Sequence, residues 1–256
     1  MNLSVQALCF SYDTAPLLRD IRFSLDTGSF VCVLGENGAG KSTLFQCILN
    51  LQKNYTGQIS LDGQNIKTLN ERELAKFIAY IPQLHKQSFA FSVFDTVLMG
   101  TSASLSPFSM PKEKQREAAL EALRLMNMEK YASRSFSHLS GGEQQMVLIA
   151  RALAQKAPIL IMDEPCSSLD YGNQIRLLKK LKQLSALGYL VLLSTHNPEY
   201  AFLFADNVLV LHNGNIMAQG NPREALTASL LEEIYRIPIQ LYTSSDVPQP
   251  VCIPKI

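Results

Sequence analysis

The sequence predicts an α/β fold: a mixed sheet core carrying an antiparallel β lobe and a helical insertion. Three observations lead there. The first is the apolar run Phe30-Val31-Cys32-Val33-Leu34, followed at once by Gly35-Glu36-Asn37-Gly38-Ala39-Gly40-Lys41-Ser42 and then by an apolar-periodic stretch at 44–49. Strand, glycine-rich loop and helix follow one another, and the loop fits the phosphate-binding pattern G-x-x-x-x-G-K-[ST]. The second is a regular alternation from residue 140 onward: helix 141–156, strand 159–163, helix 173–186, strand 190–195, helix 198–205 and strand 207–212. Alternation of that kind means a parallel sheet with helices packed on it. The third is size and composition. With 256 residues, 47% of them apolar, the chain can bury a large core as one mixed domain or two closely packed lobes.

Along the chain, residues 3–34 read as strands joined by turns, with Asp13-Thr14-Ala15-Pro16 and Asp26-Thr27-Gly28 as breakers. Gln58-Ile59-Ser60-Leu61, closed by Asp62-Gly63, adds another strand. Asn70 and Glu73 have the capping-box spacing that opens a short helix. Residues 84–138 interrupt the alternation as the helical insertion; within it Ala119, Leu120, Leu123 and Met126 fall at helical spacing after Pro111. Ser140 and Glu143 repeat the capping-box spacing, so Ser140 caps the next helix and Glu143 reaches back to its N–H. The tail after Tyr242, residues 243–256, is polar and proline-bearing and is expected to pack along the surface. No internal repeat or low-complexity linker is present.

The residue types at these positions carry a chemistry. Glycines let the loop curl so that successive N–H groups form an anion nest, and the following helix adds the positive end of its dipole. Lys41 suits the β- and γ-phosphate oxygens of a nucleoside triphosphate, and the Ser42 hydroxyl suits Mg²⁺. The cation keeps several waters, so a hydroxyl, the phosphates and one acid complete its shell. Ile159-Leu160-Ile161-Met162 ends in Asp163-Glu164-Pro165, which puts two carboxylates at the carboxyl end of a strand, where open α/β sheets bind ligands. Asp163 suits the Mg²⁺ shell, and Glu164 suits a general base for the attacking water. Gly141 and Gly142, at the opening of a helix, leave bare N–H groups as a second anion site.

Taken together, Leu139-Ser140-Gly141-Gly142-Glu143-Gln144-Gln145 and the elements around it resemble the signature region of the ATP-binding-cassette (ABC) ATPases. The resemblance covers nearly the whole chain and implies the cassette version of the phosphate-loop NTPase fold over 1–242. It implies that Gly35–Ser42, with Thr43, is a Walker A and Ile159–Glu164 a Walker B. Gln83, in Tyr80-Ile81-Pro82-Gln83, is similar to the Q-loop glutamine that touches Mg²⁺ and water. Ser168-Leu169-Asp170 is similar to the D-loop, His196 to the switch histidine at the γ-phosphate, and Tyr12 to the aromatic residue that stacks on adenine. Family cassettes face head to tail, which assigns Ser140, Gly141 and Gly142 to the nucleotide of a second copy. Two positions depart from the family pattern: Glu143 stands where Gln is commonest, adding negative charge near a phosphate site, and Cys166 stands where Thr is usual.

Other features bound the function. A net charge of +1 gives no electrostatic case for nucleic acid. Cys9, Cys32, Cys47, Cys166 and Cys252 are scattered without C-x-x-C pairs and read as reduced core residues of a cytosolic protein. The N-terminus reads as no signal peptide, and no apolar stretch approaches the roughly 18–20 residues that span a bilayer. His85, His138 and His212 lack partners at metal-ligand spacing and read as ordinary surface or turn histidines.

A cassette of this kind resembles the energy subunit of a bacterial importer, bound peripherally at the cytoplasmic face of the inner membrane. Two copies would dock on two permease subunits served by a separate substrate-binding protein. The docking stretch of the family falls on Ser88-Phe89-Ala90-Phe91 and Ser92-Val93-Phe94-Asp95-Thr96-Val97-Leu98-Met99-Gly100. That stretch, with the segment 231–239, is similar to importers of metal chelates: iron-siderophore, haem and cobalamin, with molybdate and zinc or manganese systems close by. Two rival readings stay open: a soluble cassette acting on DNA or ribosomes, and an exporter subunit.

Overall fold

The computed structural model describes residues 1–83, 91–105, 109–244 and 249–255. They form two compact units, Met1–Thr68 with Leu181–Ile256, and Leu69–Lys180.

The first unit opens with β1 (Asn2–Ser11) and β2 (Pro16–Asp26), an antiparallel pair. Leu3, Val5, Leu8 and Phe10 on β1 and Leu18, Ile21, Phe23 and Leu25 on β2 are buried, while most intervening residues face outward. Broken once on each strand, where the register shifts after Val5 and after Leu8, that alternation is the mark of an antiparallel sheet wetted on one side. β3 (Phe30–Leu34) is buried at all five positions, as a strand covered on both faces must be. α1 (Lys41–Ile48) follows, and then β4 (Thr56–Leu61), which pairs with β1, and β5 (Gln64–Asn65), which pairs with β4. Asp62 and Gly63 between them both have positive φ, 47° and 82°, the two-residue turn whose twist matches a hairpin.

The second unit begins with α2 (Glu71–Leu74), whose capping box is formed as its spacing predicts: Asn70 Oδ1 accepts from the Glu73 N–H at 3.0 Å and Glu73 Oε2 from the Asn70 N–H at 2.8 Å. β6 (Ile78–Ile81) comes next, then α3 (Val93–Leu98), a 3₁₀ stretch over Met99–Ser104, and α4 (Glu113–Leu125). Short 3₁₀ turns at Glu129–Tyr131 and Phe136–His138 lead into α5 (Gly141–Ala154) and β7 (Ile159–Met162), which runs parallel to β6. α3, α4 and α5 pack on one another, and Val93, Val97, Ala119, Leu123, Val147 and Ile149 on them are all buried. Beyond the end of α5, the Gln155 amide donates to the carbonyls of Ala75 and Ile78 at 2.6 and 2.8 Å, fixing the approach to β6.

α6 (Tyr171–Ala186) returns the chain to the first unit. There follow β8 (Leu190–Thr195), α7 (Pro198–Phe204), β9 (Asn207–His212), β10 (Asn215–Gly220), α8 (Pro222–Ala225) and α9 (Ala228–Tyr235), then β11 (Ile239–Tyr242) and β12 (Val251–Pro254). Within this unit β3 lies between β8 and β9, parallel to both, and β10 closes antiparallel on β9. The tail does more than lie along the surface. Its last strand pairs antiparallel with β11, Ile239 opposite Pro254 and Tyr242 opposite Val251, and it packs on α7. Among the described residues no helix is long and apolar enough to cross a membrane.

Candidate active site

β3 delivers the chain into the glycine-rich loop, and the Gly35 N–H donates to Thr195 O at 3.3 Å, holding the loop's start beside the end of β8. Gly40 is the N-cap of α1 with φ 101°, and no side chain caps the helix. No capping side chain therefore competes with an anion at the start of α1, a place the helix dipole also favours. Lys41 is 5% exposed, and its Nζ donates to the carbonyls of Gly35 and Glu36 at 2.9 and 3.0 Å. The ammonium is thus fixed within the loop it serves. Ser42 is exposed and Thr43 buried in the first turn of α1. A cleft of about 630 Å³ runs along the loop, lined among others by Arg19, Glu36, Asn37, Gly38 and Ala39.

Tyr12, just past β1, is 57% exposed. Its ring stands edge-on to Phe10 with centroids 4.8 Å apart, and its hydroxyl lies 3.2 Å from Gln46 Oε1 and 3.5 Å from Thr43 Oγ1. An aromatic face is therefore held open to solvent at the side of α1. His196 follows β8 and is exposed; since Thr195 is opposite Leu34 in the β3–β8 register, His196 emerges next to the loop.

His212 is not the surface or turn residue its spacing suggested. It ends β9 at 4% exposure, with Nδ1 3.4 Å from Glu36 Oε1 and Nε2 2.9 Å from Asn213 Nδ2. A strand read as ending in a polar residue gave no sign that the residue lies beneath the loop.

In the second unit the Asp163 N–H donates to Ile81 O at 3.0 Å, extending the β6–β7 ladder by one bond. Asp163 is 8% exposed; burial of the Tyr80 phenol, with a smaller contribution from the Asp163 charge, pushes that phenol up to about 12. Glu164 has φ 43°, a left-handed conformation that costs a residue with a side chain about 1–3 kcal/mol. Gln83 is exposed and donates through Nε2 to Ser167 Oγ at 3.1 Å, so the glutamine is tied to the stretch just after Glu164. Ser167 lay outside the sequence reading, and a contact across 84 residues has no local signal. Among the described residues no cluster of three or more His, Cys, Asp or Glu could hold a metal ion unaided.

The signature segment forms the predicted cap. Ser140 Oγ accepts from the Glu143 N–H at 3.4 Å, and Glu143 Oε2 accepts from the Ser140 N–H and hydroxyl at 2.9 Å each. These bonds, with one from Tyr131, hold the Glu143 carboxyl below its ordinary range. The charge that departs from the family pattern is therefore directed into its own helix. Asp170 accepts from the Asn173 N–H at 2.9 Å and from its amide at 2.7 Å near the start of α6, which likewise lowers its carboxyl. Cys166 is buried, and burial pushes its thiol up to about 12; it has the character of a packing residue. His138 is exposed, and His85, like Ser88, Phe89 and Ala90, lies outside the described residues.

Residues 18–167 match the family model described as ABC transporter. The chain belongs to the ABC transporter family. ABC ATP-binding proteins are ATPases coupled to transport, and this chain is one of them. It is 44% identical over 92% of its length to an uncharacterized ABC transporter ATP-binding protein of Haemophilus influenzae, covering 90% of that protein. It is 31% identical over 98% of its length to the hemin import ATP-binding protein HmuV of Shewanella denitrificans, covering all of it. Among solved structures it is similar to a transporter assigned to the metal-chelate type, in an inward-facing conformation. There the TM-score is 0.87 and the identity 32%, over 99% of this chain and 97% of the other. The same fold recurs in the ADP conformation of an ATP-binding cassette, with TM-score 0.83 and 25% identity over 92% of this chain and 99% of that one.

Proposed function

We propose that this ABC ATPase energises import of a metal chelate, of the iron-siderophore, haem, cobalamin or molybdate kind, from the cytoplasmic face of the inner membrane. The observation that carries the ATPase half is Lys41, buried and fixed on the loop carbonyls at the uncapped start of α1. Full-length similarity to a hemin import protein and to a metal-chelate transporter supports the import half.

In this reading Tyr12 stacks on adenine. The amides of Gly35, Glu36, Asn37, Gly38, Ala39 and Gly40, with those of Lys41, Ser42 and Thr43, cradle the phosphates. Ser42, Gln83 and Asp163 are oxygen donors of the kind Mg²⁺ takes, too few to cage it without phosphates and water, which suits that ion. Mg²⁺ supplies charge neutralisation on the β- and γ-phosphates. Glu164 accepts a proton from the attacking water, Lys41 and His196 steady the negative charge on the γ-phosphate, and Gln83 orients the water. Ser140, Gly141 and Gly142 act in trans on the nucleotide of a second copy, so that ATP closes a homodimer. Closure passes through the Gln83 segment to two permease subunits, which receive cargo from a substrate-binding protein. Residues 1–242 form the cassette, with the helical subdomain at 84–138 and the tail at 243–256. Nucleic acid is no partner.

The test is gentle detergent extraction of the tagged chain from membranes and identification of what accompanies it. A polytopic permease in equal stoichiometry is expected. Recovery with ribosomes, with DNA or only in the soluble fraction would keep the ATPase and overturn the transport role.

A further inference from the structure

α9 and the strand pair packed with it belong to no part of the mechanism above, yet the last residue of α9 reaches the backbone just past β8. The Tyr235 hydroxyl, at the last residue of α9, donates to the carbonyl of His196 at 2.7 Å, a contact across 39 residues. That carbonyl is available for a physical reason. Asn197 is the N-cap of α7 and accepts from the Glu199 N–H at 2.9 Å, so His196 sits one position before the cap, outside the intrahelical ladder.

The two flanks of His196 are fixed as well. Asn197 N–H donates to Thr195 Oγ1 at 3.0 Å, and Thr195 O accepts from Gly35 N–H. The Tyr235 bond completes the set on the carbonyl side, and its donor is itself anchored. Arg236 ends α9 in a left-handed turn with φ 57°. Ile239 N–H then donates to Glu232 Oε1 at 2.9 Å, and Lys255 N–H donates to Pro238 O at 2.9 Å. Burial raises the Tyr235 phenol well above its ordinary value, with a smaller contribution from Cys252 on β12. The hydroxyl therefore keeps its proton, and its role as donor, throughout the physiological range.

We infer that Tyr235 is a positioning residue for ATP hydrolysis, holding the His196 backbone so that the imidazole meets the γ-phosphate at a fixed angle. The inference rests on the role proposed for His196. Because Tyr235 reaches the site through the His196 backbone carbonyl, its removal should act on the hydrolytic step and leave binding alone.

The experiment is steady-state ATP hydrolysis and nucleotide binding by the full chain carrying Tyr235→Phe, His196→Ala or both. Tyr235→Phe is expected to lower kcat about 3- to 10-fold, the worth of one hydrogen bond, with KM and nucleotide affinity within about 2-fold of wild type. In the His196→Ala background the same change should alter kcat by less than about 2-fold, because the two residues act as one unit. Equal fold-losses in the two backgrounds, or a loss expressed in KM, would mean a merely structural role and overturn the inference. Loss of turnover in His196→Ala with full turnover in Tyr235→Phe would overturn it while leaving the histidine's role standing. Full turnover in His196→Ala would remove that role and this inference with it.

Discussion

Gly40→Ala is the substitution whose cost the structure divides most cleanly into parts. Gly40 has φ 101°, and a Cβ built there would lie 2.9 Å from Leu18 Cδ2, whereas Gly38 has φ 84° with nothing within 4 Å. An L-residue in left-handed conformation costs roughly 1–2 kcal/mol, and forcing a methyl against a packed core side chain adds about 1–3 kcal/mol. Gly40→Ala should therefore destabilise by about 2–5 kcal/mol and Gly38→Ala by only about 1–2 kcal/mol. In a chain of this size each kcal/mol moves the unfolding midpoint by about 2–4 °C, so the two variants should melt about 4–20 °C and 2–8 °C below wild type. The assay is thermal unfolding with and without ATP. At about 100 times its Kd the nucleotide should add about 2.7 kcal/mol to the wild type, and less to Gly40→Ala if that chain relieves the strain by shifting the backbone at the start of α1. A third variant isolates the steric part. Leu18→Val removes the δ carbons and should narrow the gap between Gly40→Ala and its parent. A Gly40→Ala chain that melts with the wild type would refute the backbone geometry; one that melts with Gly38→Ala would refute the clash with Leu18.

Three further outcomes are expected. Glu164→Gln should bind ATP as the wild type does, lose at least about 100-fold in turnover and accumulate as a dimer; undiminished phosphate release would end the general-base assignment. Ser140→Ala should cost about 1 kcal/mol through the lost cap and abolish turnover, with monomer affinity for ATP unchanged; a large fall in that affinity would count against action in trans. Glu143, whose folded-state pKa is depressed, should contribute stability that is complete above its unfolded value, near 4.5, and lost as pH falls through the lower folded value. Stability curves of wild type and Glu143→Gln between neutral and acid pH should then converge on the acid side, and curves that diverge there would reverse the sign.

Local chemistry made much of this molecule legible. The boxes at Asn70/Glu73 and Ser140/Glu143 were readable because a cap is a contact between residues three apart, and both formed with the bonds their spacing implies. The glycine-rich loop was readable because its backbone requirement is written in the residues themselves, and β3, β8 and β9 were readable as continuous apolar runs. What stayed hidden has long-range causes. β12 is four residues, two of them exposed and one a proline, so only its pairing with β11 makes it a strand. His212 is buried because the loop after β3 lies over the end of β9, an accident of topology that no window of sequence around it contains. Gln83 with Ser167 and Tyr235 with His196 are likewise pairs that exist only once the chain is folded.

Glu164 bends the backbone into a region where glycine would rest without strain. The position is therefore one at which random change and selection pull in opposite directions. A substitution to glycine removes the side chain that strains the turn; the resulting chain should be sturdier and, if Glu164 is the general base proposed above, unable to hydrolyse what it binds. Any search that rewards yield or heat resistance alone would drift toward that dead form. A lineage keeps the carboxylate only while transport itself is being tested.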